Sequence, residues 1–444
     1  MNPYVQYMYS YPHKTAYGPL ESVSLKDHVS CLKGSGNGLY LHLPFCRTRC
    51  GYCNLFTVTG QEEALADCYL EAVERQSRQY QELLFPQGTV FSEMVIGGGT
   101  PLLLTEGQLV RMFRMLEKGF LFSGNRELVI ETSPNETSRG KLEILKQAGV
   151  TRVSMGIQSF SEKELGTLRR RHGAARAEEA LALIKEYDFS SVNVDFIYGI
   201  PGQTVGSLLG SLKRALAYAP DEIFLYPLYV KHGAFLQREW KDGQVLKPED
   251  ALTQYRESAA YLQAEGYRQD SMRRFVRKEG TREYSECGMG RSLALGCGGR
   301  SYLGALHFCS PYTVTRQGCL EQLAHFVHTG DYTKITHGIL LTEDEQKRRH
   351  VIRHLLIRPG LLLREYEEQF GNSALYDFSI LEKWEECGYV QREGEYLALT
   401  ETGMELSDWL GPQLISEEIR RRMEEWEYIH GRNGASVQGE SEEL

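Results

Sequence analysis

Between residues 37 and 230 the chain switches about six times between a short run rich in Val, Ile and Phe and a longer amphipathic stretch. No other feature constrains its fold as much. Short β-branched and aromatic runs read as buried strands, and apolar residues at 3.6-residue spacing read as helix. GLYLHLPFC leads into a helical stretch at Glu62–Leu84. FSEMVIGGG, ELVIETSP, RVSMGIQSF, SVNVDFIYGIPG and DEIFLYPLYV then read as strands. TEGQLVRMFRMLEKGF, KLEILKQAG, ARAEEALALIKEY and SLLGSLKRALAY read as the helices between them. Such repetition predicts a parallel sheet with helices outside. About six units fall short of the eight of a closed TIM barrel. The expected fold class is therefore α/β, a partial (β/α)6 barrel, with ligands at the carboxyl ends of the strands.

Outside that core the pattern changes. Residues 1–36 read as an N-terminal arm, and residues 231–340 as a barrel extension and linker with one good helix from Glu249 to Gly266. Residues 341–412 offer three short helices, TEDEQKRRHVIRHLL, LREYEEQF and ALYDFSILEKWEECG. A hairpin turned at Glu393-Gly394 follows, so a small winged-helix-like α+β domain is expected. Residues 413–444 read as a charged helix whose final ~12 residues are disordered. The net charge of −9 argues against nucleic acid or anionic lipid as partner. The winged-helix-like region is itself acidic, which disfavours DNA. No apolar run approaches the ~20 residues of a membrane span, and no signal peptide is visible. A cytoplasmic monomer is expected.

Three of ten cysteines, Cys46, Cys50 and Cys53, are crowded into C-x3-C-x2-C. The others (Cys31, Cys68, Cys287, Cys297, Cys309, Cys319 and Cys387) are scattered. A large chain with one tight cysteine group more often uses it for metal than for disulfides. Three thiolates on a four-iron cube leave one iron open. S-adenosylmethionine (SAM) could chelate that iron, and one electron from a [4Fe–4S] cluster could then break its sulfonium bond. Structural zinc would need four ligands in paired C-x2-C groups, and no second pair lies at a suitable distance. Other residues at or near strand ends read two ways. Gly97, Gly98 and Gly99 let a backbone approach a ligand or make only a tight turn. Glu131 is a surface carboxylate or a partner for a cation. Asp195, after the run VNV, needs hydrogen bonds if it is buried. Gln158 can donate and accept.

These stretches together resemble the radical SAM proteins related to the oxygen-independent coproporphyrinogen III oxidase. That group includes the anaerobic haem chaperone and the class C radical SAM methyltransferases. The resemblance runs from Tyr9 to about Leu410. It rests on SYP at Ser10–Pro12, YLHLPFCRTRCGYC at Tyr40–Cys53, GGGTP at Gly97–Pro101 and ETSPNE at Glu131–Glu136. RVSMGIQSF at Arg152–Phe160, LRRRH at Leu168–His172, NVDFIYGIPGQT at Asn193–Thr204 and LGCGGRSYLG at Leu295–Gly304 continue it.

The resemblance implies a SAM site of Tyr40, Tyr52, Gly98, Gly99, Thr100, Glu131, Gln158, Arg170 and Asp195. Arg170, otherwise part of a solvated Arg169-Arg170-Arg171 run, would fork onto the SAM carboxylate. It also implies a second SAM at the positions of Pro227 and Arg300, where both residues depart from the oxidase. Arg300 could instead bind a substrate carboxylate. The implied partners are a small molecule, porphyrin-like or another natural product, and an electron donor such as flavodoxin or ferredoxin. The altered positions favour a different substrate, and the reading leans to methylation or related C–C bond formation at an unactivated carbon with two SAM molecules. The alternatives are oxidative decarboxylation of coproporphyrinogen and haem carriage. Three further features stay open. They are a second metal site at Cys287, Cys297, Cys309 and Cys319, a substrate contact at His13, and a basic patch at Arg273, Arg274, Arg277 and Lys278.

Overall fold

The computed structural model describes residues 2–8, 10–60, 63–230, 234–236, 247–277 and 290–436. The arm supplies an edge strand, β1 (Gly18–Ser24). Six strands then pair in parallel and in chain order: β2 (Asn37–Leu43), β3 (Phe91–Gly98), β4 (Phe122–Thr132), β5 (Arg152–Gln158), β6 (Ser191–Tyr198) and β7 (Glu222–Pro227). Between them run α1 (Glu63–Leu84), α2 (Glu106–Gly119), α3 (Arg139–Gln147), α4 (Glu162–Thr167), α5 (Ala174–Lys185) and α6 (Val205–Leu216). β5 and β6 are buried along nearly their whole length, as strands covered on both faces must be. The helices start where the sequence can cap them. Thr105 and Gln108 close a capping box on α2, and Thr204 and Ser207 close another on α6, each satisfying two orphan N–H groups.

The sheet widens at both edges to thirteen strands. Arg274–Arg277 and Tyr267–Gln269 add antiparallel strands beside β7. Ser292–Leu295 adds a parallel strand beside β2. Ser301–Leu303, Leu306–Phe308, Lys334–Leu340 and β1 follow antiparallel. Among the described residues no pairing joins the two edges, so the barrel is partial, as expected. The glycine-rich stretch that sequence pattern left undivided is thus a set of buried strands three or four residues long. Runs that short carry no readable period.

The C-terminal region is winged-helix-like, with a three-stranded sheet of Leu361–Leu362, Tyr396–Leu399 and Val390–Glu393. Gly394 turns its hairpin at φ 64°. One expected helix is two, Ala374–Asp377 and Ile380–Glu386. The Asp377 carboxylate is held by the Tyr366 hydroxyl at 2.8 Å and by Lys347 Nζ at 3.1 Å, and this anchor fixes the chain at the break. The last helix runs from Glu417 to Ser436, into the stretch read as disordered; residues 437–444 lie outside the described residues. This region grips the arm. Tyr11 hydrogen-bonds Glu345, and Ser416 N donates to Tyr11 Oη at 3.2 Å. Among the described residues no helix is long and apolar enough to cross a membrane.

Candidate functional site

The carboxyl ends of the parallel strands open into a cavity of about 810 Å3. Each residue proposed from sequence for the cluster or SAM lines it: Cys46, Cys50, Cys53, Tyr40, Tyr52, Gly98, Gly99, Thr100, Glu131, Gln158, Arg170, Asp195, Pro227 and Arg300. The cysteine loop and the glycine loop are built against each other. Gly99 N donates to Leu43 O at 2.7 Å and Thr100 N to Phe45 O at 2.8 Å. A Cβ at Gly99 would stand 2.5 Å from Phe45 O and 3.0 Å from Cys46 Sγ, so no larger residue fits there. Gly98 has φ 118°, and its missing Cβ makes room for the His42 ring at 2.8 Å. Thr100 Oγ1 lies 3.6 Å from Cys46 Sγ.

Arg170 crosses from the α4–α5 loop. Its Nη1 donates to Cys50 Sγ at 3.1 Å and its Nη2 to Gly156 O at 2.5 Å. Its Nε is buried without a protein partner among the described residues, as is Asn193 Oδ1. Buried polar atoms without partners cost stability, so they mark a place shaped for a ligand. Gln158 points the same way. It is held at φ 73°, a left-handed conformation costing about 1 kcal/mol or more for a non-glycine residue. Tyr40 Oη is 3.1 Å from His42 Nδ1. Tyr52 packs on a small cluster of Leu168, Ile197 and Ile200.

Two carboxylates sit on the cavity floor short of positive charge. Burial pushes Glu131 up to about 7, although Gly98 N donates to it at 3.1 Å. Burial pushes Asp195 up to about 6, opposed by the Asn193 amide at 2.8 Å. SAM carries an ammonium and a sulfonium, and its ribose hydroxyls can donate. Both carboxylates therefore suit it better than they suit an empty, dry floor.

Among the described residues no three His, Cys, Asp or Glu side chains gather closely enough to hold a single metal ion. A four-iron cube asks for something else: one thiolate per iron, spread around the cube. Cys46, Cys50 and Cys53 are free thiols on one loop facing one cavity, and that donor set fits a cube with one iron left for a ligand.

Other expectations are corrected. Arg273 and Arg274 are neither a solvated patch nor a substrate receptor. Each is buried in an ion pair, Arg273 with Asp408 and Arg274 with Glu222 at 3.2 Å and Asp270 at 2.6 Å. Arg277 ends the strand Arg274–Arg277 half-buried, and Lys278 lies outside the described residues. Cys297, Cys309 and Cys319 are buried free thiols, and Cys287 lies outside the described residues. His13 is buried and caps a short turn, accepting from Thr15 N at Nδ1; its neighbour Lys14 lines the cavity instead. Lys14, Tyr7, Asn193, Arg152 and Tyr312 are lining residues that sequence reading missed. Only Asn193 and Arg152 carried a visible signal, since they stand on predicted strands.

Residues 40–215 match the family described as the radical SAM superfamily. The oxygen-independent coproporphyrinogen III oxidase of Escherichia coli (strain K12) is 28% identical over 384 residues, spanning 82% of each chain. The haem chaperone of Mycobacterium tuberculosis is 34% identical over 227 residues, 51% of this chain and 58% of that one. The solved structure of the Escherichia coli oxidase, titled a radical SAM enzyme, superposes with a TM-score of 0.78. It is 26% identical and covers 94% of this chain and 96% of its own. These relatives favour the oxidase and chaperone readings over the methyl transfer expected from sequence.

Proposed function

We propose, from the premise that residues 40–215 are a radical SAM domain in a chain of the coproporphyrinogen oxidase and haem chaperone type, that this protein cleaves SAM reductively and abstracts hydrogen from a coproporphyrinogen-like tetrapyrrole. The observation that carries this reading is convergence. Residues from six separate strand ends, the cysteine loop and the arm meet in one cavity large enough for SAM beside a substrate. Cys46, Cys50 and Cys53 would hold a [4Fe–4S] cluster, which would supply the electron for reductive cleavage of SAM.

The chain's own residues bind, orient and exclude water. Gly98, Gly99 and Thr100 bring backbone to the amino-acid end of SAM, where Glu131 takes the ammonium. Arg170 turns its open guanidinium edge to the SAM carboxylate. Asp195, steadied by Asn193, accepts from the ribose hydroxyls, and Tyr40 and Tyr52 flank the adenosyl group. Phe224 and Tyr226, stacked with ring centroids 5.7 Å apart, give the substrate side an aromatic face, and Tyr7 stands edge-on to Tyr226 at 6.2 Å. The arm lines the cavity through Tyr7 and Lys14, and the C-terminal helix backs its lining residue Tyr312. Trp426 packs on Tyr312 with centroids 5.0 Å apart, and Tyr312 Oη donates to Asn54 O at 2.8 Å.

The test is anaerobic reconstitution followed by dithionite, SAM and coproporphyrinogen III. The reading expects iron–sulfur absorbance, 5′-deoxyadenosine and a product lighter by carbon dioxide and hydrogen; Cys50→Ala abolishes all three. Formation of S-adenosylhomocysteine would restore methyl transfer. The 34% identity to a haem chaperone favours a second reading. Tight haem binding with no decarboxylated product would establish that reading instead.

A further inference from the structure

Two of the cations that line the cavity, Lys14 and Arg300, reach it from the β2 side of the sheet. Glu131 and Asp195 lie away from that side, on β4 and β6. Lys14 stands on the arm, with Nζ 3.7 Å from the centre of the Tyr312 ring. Arg300 stands just before the strand Ser301–Leu303, and its Nη1 donates to the neutral hydroxyl of Ser10 at 2.6 Å. Both line the cavity. Both bear on the same two neighbours. Burial pushes His42 down to about 4, and Lys14 and Arg300 push it further the same way. Burial raises the Cys309 thiol to about 11 against the opposing pull of Arg300 and Lys14.

A second guanidinium backs this side. Arg349 lies 4.9 Å from the centre of the Tyr302 ring, which Arg300 approaches to 5.9 Å. Arg349 Nη1 donates to Tyr11 O at 3.1 Å. Burial, Arg353 and Arg300 together hold Arg349 down at about 10. A carboxylate placed between Lys14 and Arg300 would be attracted by both charges in a partly desolvated space. The planar fork of a guanidinium matches a carboxylate in two parallel hydrogen bonds.

We propose that Arg300, with Lys14 beside it, is a carboxylate receptor on the substrate side of the cavity, holding an acidic side chain of the substrate. The receptor rests on the tetrapyrrole reading above. It replaces the second SAM expected from sequence at Pro227 and Arg300. A second SAM would set its sulfonium and ammonium against Arg300 and Lys14, leaving only its carboxylate as a favourable contact.

SAM and substrate both carry carboxylates, so the experiment separates the two sources. Reconstituted wild-type protein, Arg300→Leu, Arg300→Lys and Lys14→Met are titrated with SAM, with coproporphyrin III and with its tetramethyl ester, which keeps the ring and removes the charge. A charged hydrogen bond is worth about 1.5–3 kcal/mol. Wild type should therefore bind the acid about 10- to 100-fold more tightly than the ester. Arg300→Leu should erase that preference, Arg300→Lys should keep part of it and Lys14→Met should reduce it, with SAM stoichiometry unchanged in all. Three results overturn the proposal. If acid and ester bind alike and Arg300→Leu alters neither, the receptor is wrong and the tetrapyrrole reading stands. If Arg300→Leu loses one equivalent of SAM while acid binding persists, the carboxylate belongs to SAM. If wild type binds neither acid nor ester, the tetrapyrrole reading falls and the receptor falls with it.

Discussion

Two sets of buried carboxylates lie on the same parallel sheet and titrate in opposite directions. Glu131 and Asp195, at the carboxyl ends of β4 and β6, are pushed up to about 7 and about 6 by burial. Glu222, at the start of β7, is even less exposed, yet Arg152 and Arg274 overcome the burial and hold it down at about 2. Arg152 reaches Glu222 at 2.8 Å and Arg274 reaches it at 3.2 Å, while Asp270 closes the far side of Arg274 at 2.6 Å. The difference is one of supply. Charge at the amino end of the sheet is matched within the chain, and charge at the carboxyl end is left for a ligand to match. A strongly shifted carboxylate is thus matched by the fold's own cations in one place and raised by burial in the other, and its partners tell which.

The largest expected effect comes from breaking the matched set. Arg274→Met leaves Glu222 and Asp270 buried with less compensation, and removing one partner of a buried pair costs about 3–5 kcal/mol. Urea denaturation should show that loss, while SAM cleavage per folded molecule stays near wild type. Glu131→Gln inverts the pattern. It removes a charge the fold does not compensate, so the unliganded protein keeps its stability or gains some. SAM affinity should fall about 10- to 100-fold, the worth of a charged hydrogen bond, as read by equilibrium binding. If Glu131→Gln costs as much stability as Arg274→Met, the two sets do not differ in kind.

Sequence showed half of this contrast. Glu131, Gln158 and Asp195 were visible because each closes an apolar run, and a polar residue in that place needs a reason. The six parallel strands were visible for the same cause: they are long enough, and buried enough on both faces, to stand out from the helices. Arg273 and Arg274 were misread because what defines them lies far away, Asp408 135 residues on and Glu222 52 residues back. Lys14 and Tyr312 were invisible as site residues for a related reason. They reach the cavity from an arm and a loop that no periodicity ties to the sheet. The left-handed backbone of Gln158 leaves no mark in composition at all.

The pH dependence of the two sets should also separate. Glu222 is depressed from its ordinary value near ~4.3 to about 2. Its contribution is therefore complete above ~4.3 and is lost as pH falls towards 2. Glu131 and Asp195 are raised, so the folded state binds their protons more tightly than the unfolded state does. Between about pH 4 and pH 7 their contribution to the stability of the unliganded protein must fall as pH rises. SAM held through its ammonium by Glu131, as proposed, would reverse the preference, because that contact needs the carboxylate ionised. Its affinity should drop about tenfold per pH unit below about 7, in titrations run from pH 8 to pH 5.5. In Glu131→Gln that slope should flatten.

The smallest effect sharpens the boundary between the sets. Asn193 stands on β6 two residues before Asp195, and its Nδ2 donates to Asp195 Oδ1 at 2.8 Å and to Ser154 Oγ at 2.7 Å. It does most to keep Asp195 from rising further, with Arg152 and Arg170 pulling the same way. Asn193→Ala removes a neutral hydrogen bond worth about 1 kcal/mol, so stability should fall only slightly. A loss of that size to the ionised form moves a carboxyl by under about one pH unit, and the direction is upward. The acidic limb of the SAM-binding profile should therefore shift to higher pH while the acid unfolding governed by Glu222 stays in place. A shift of both together would mean that Asn193 couples the two ends of the sheet, and that charge supply at the ligand end is set by the matched network beneath it.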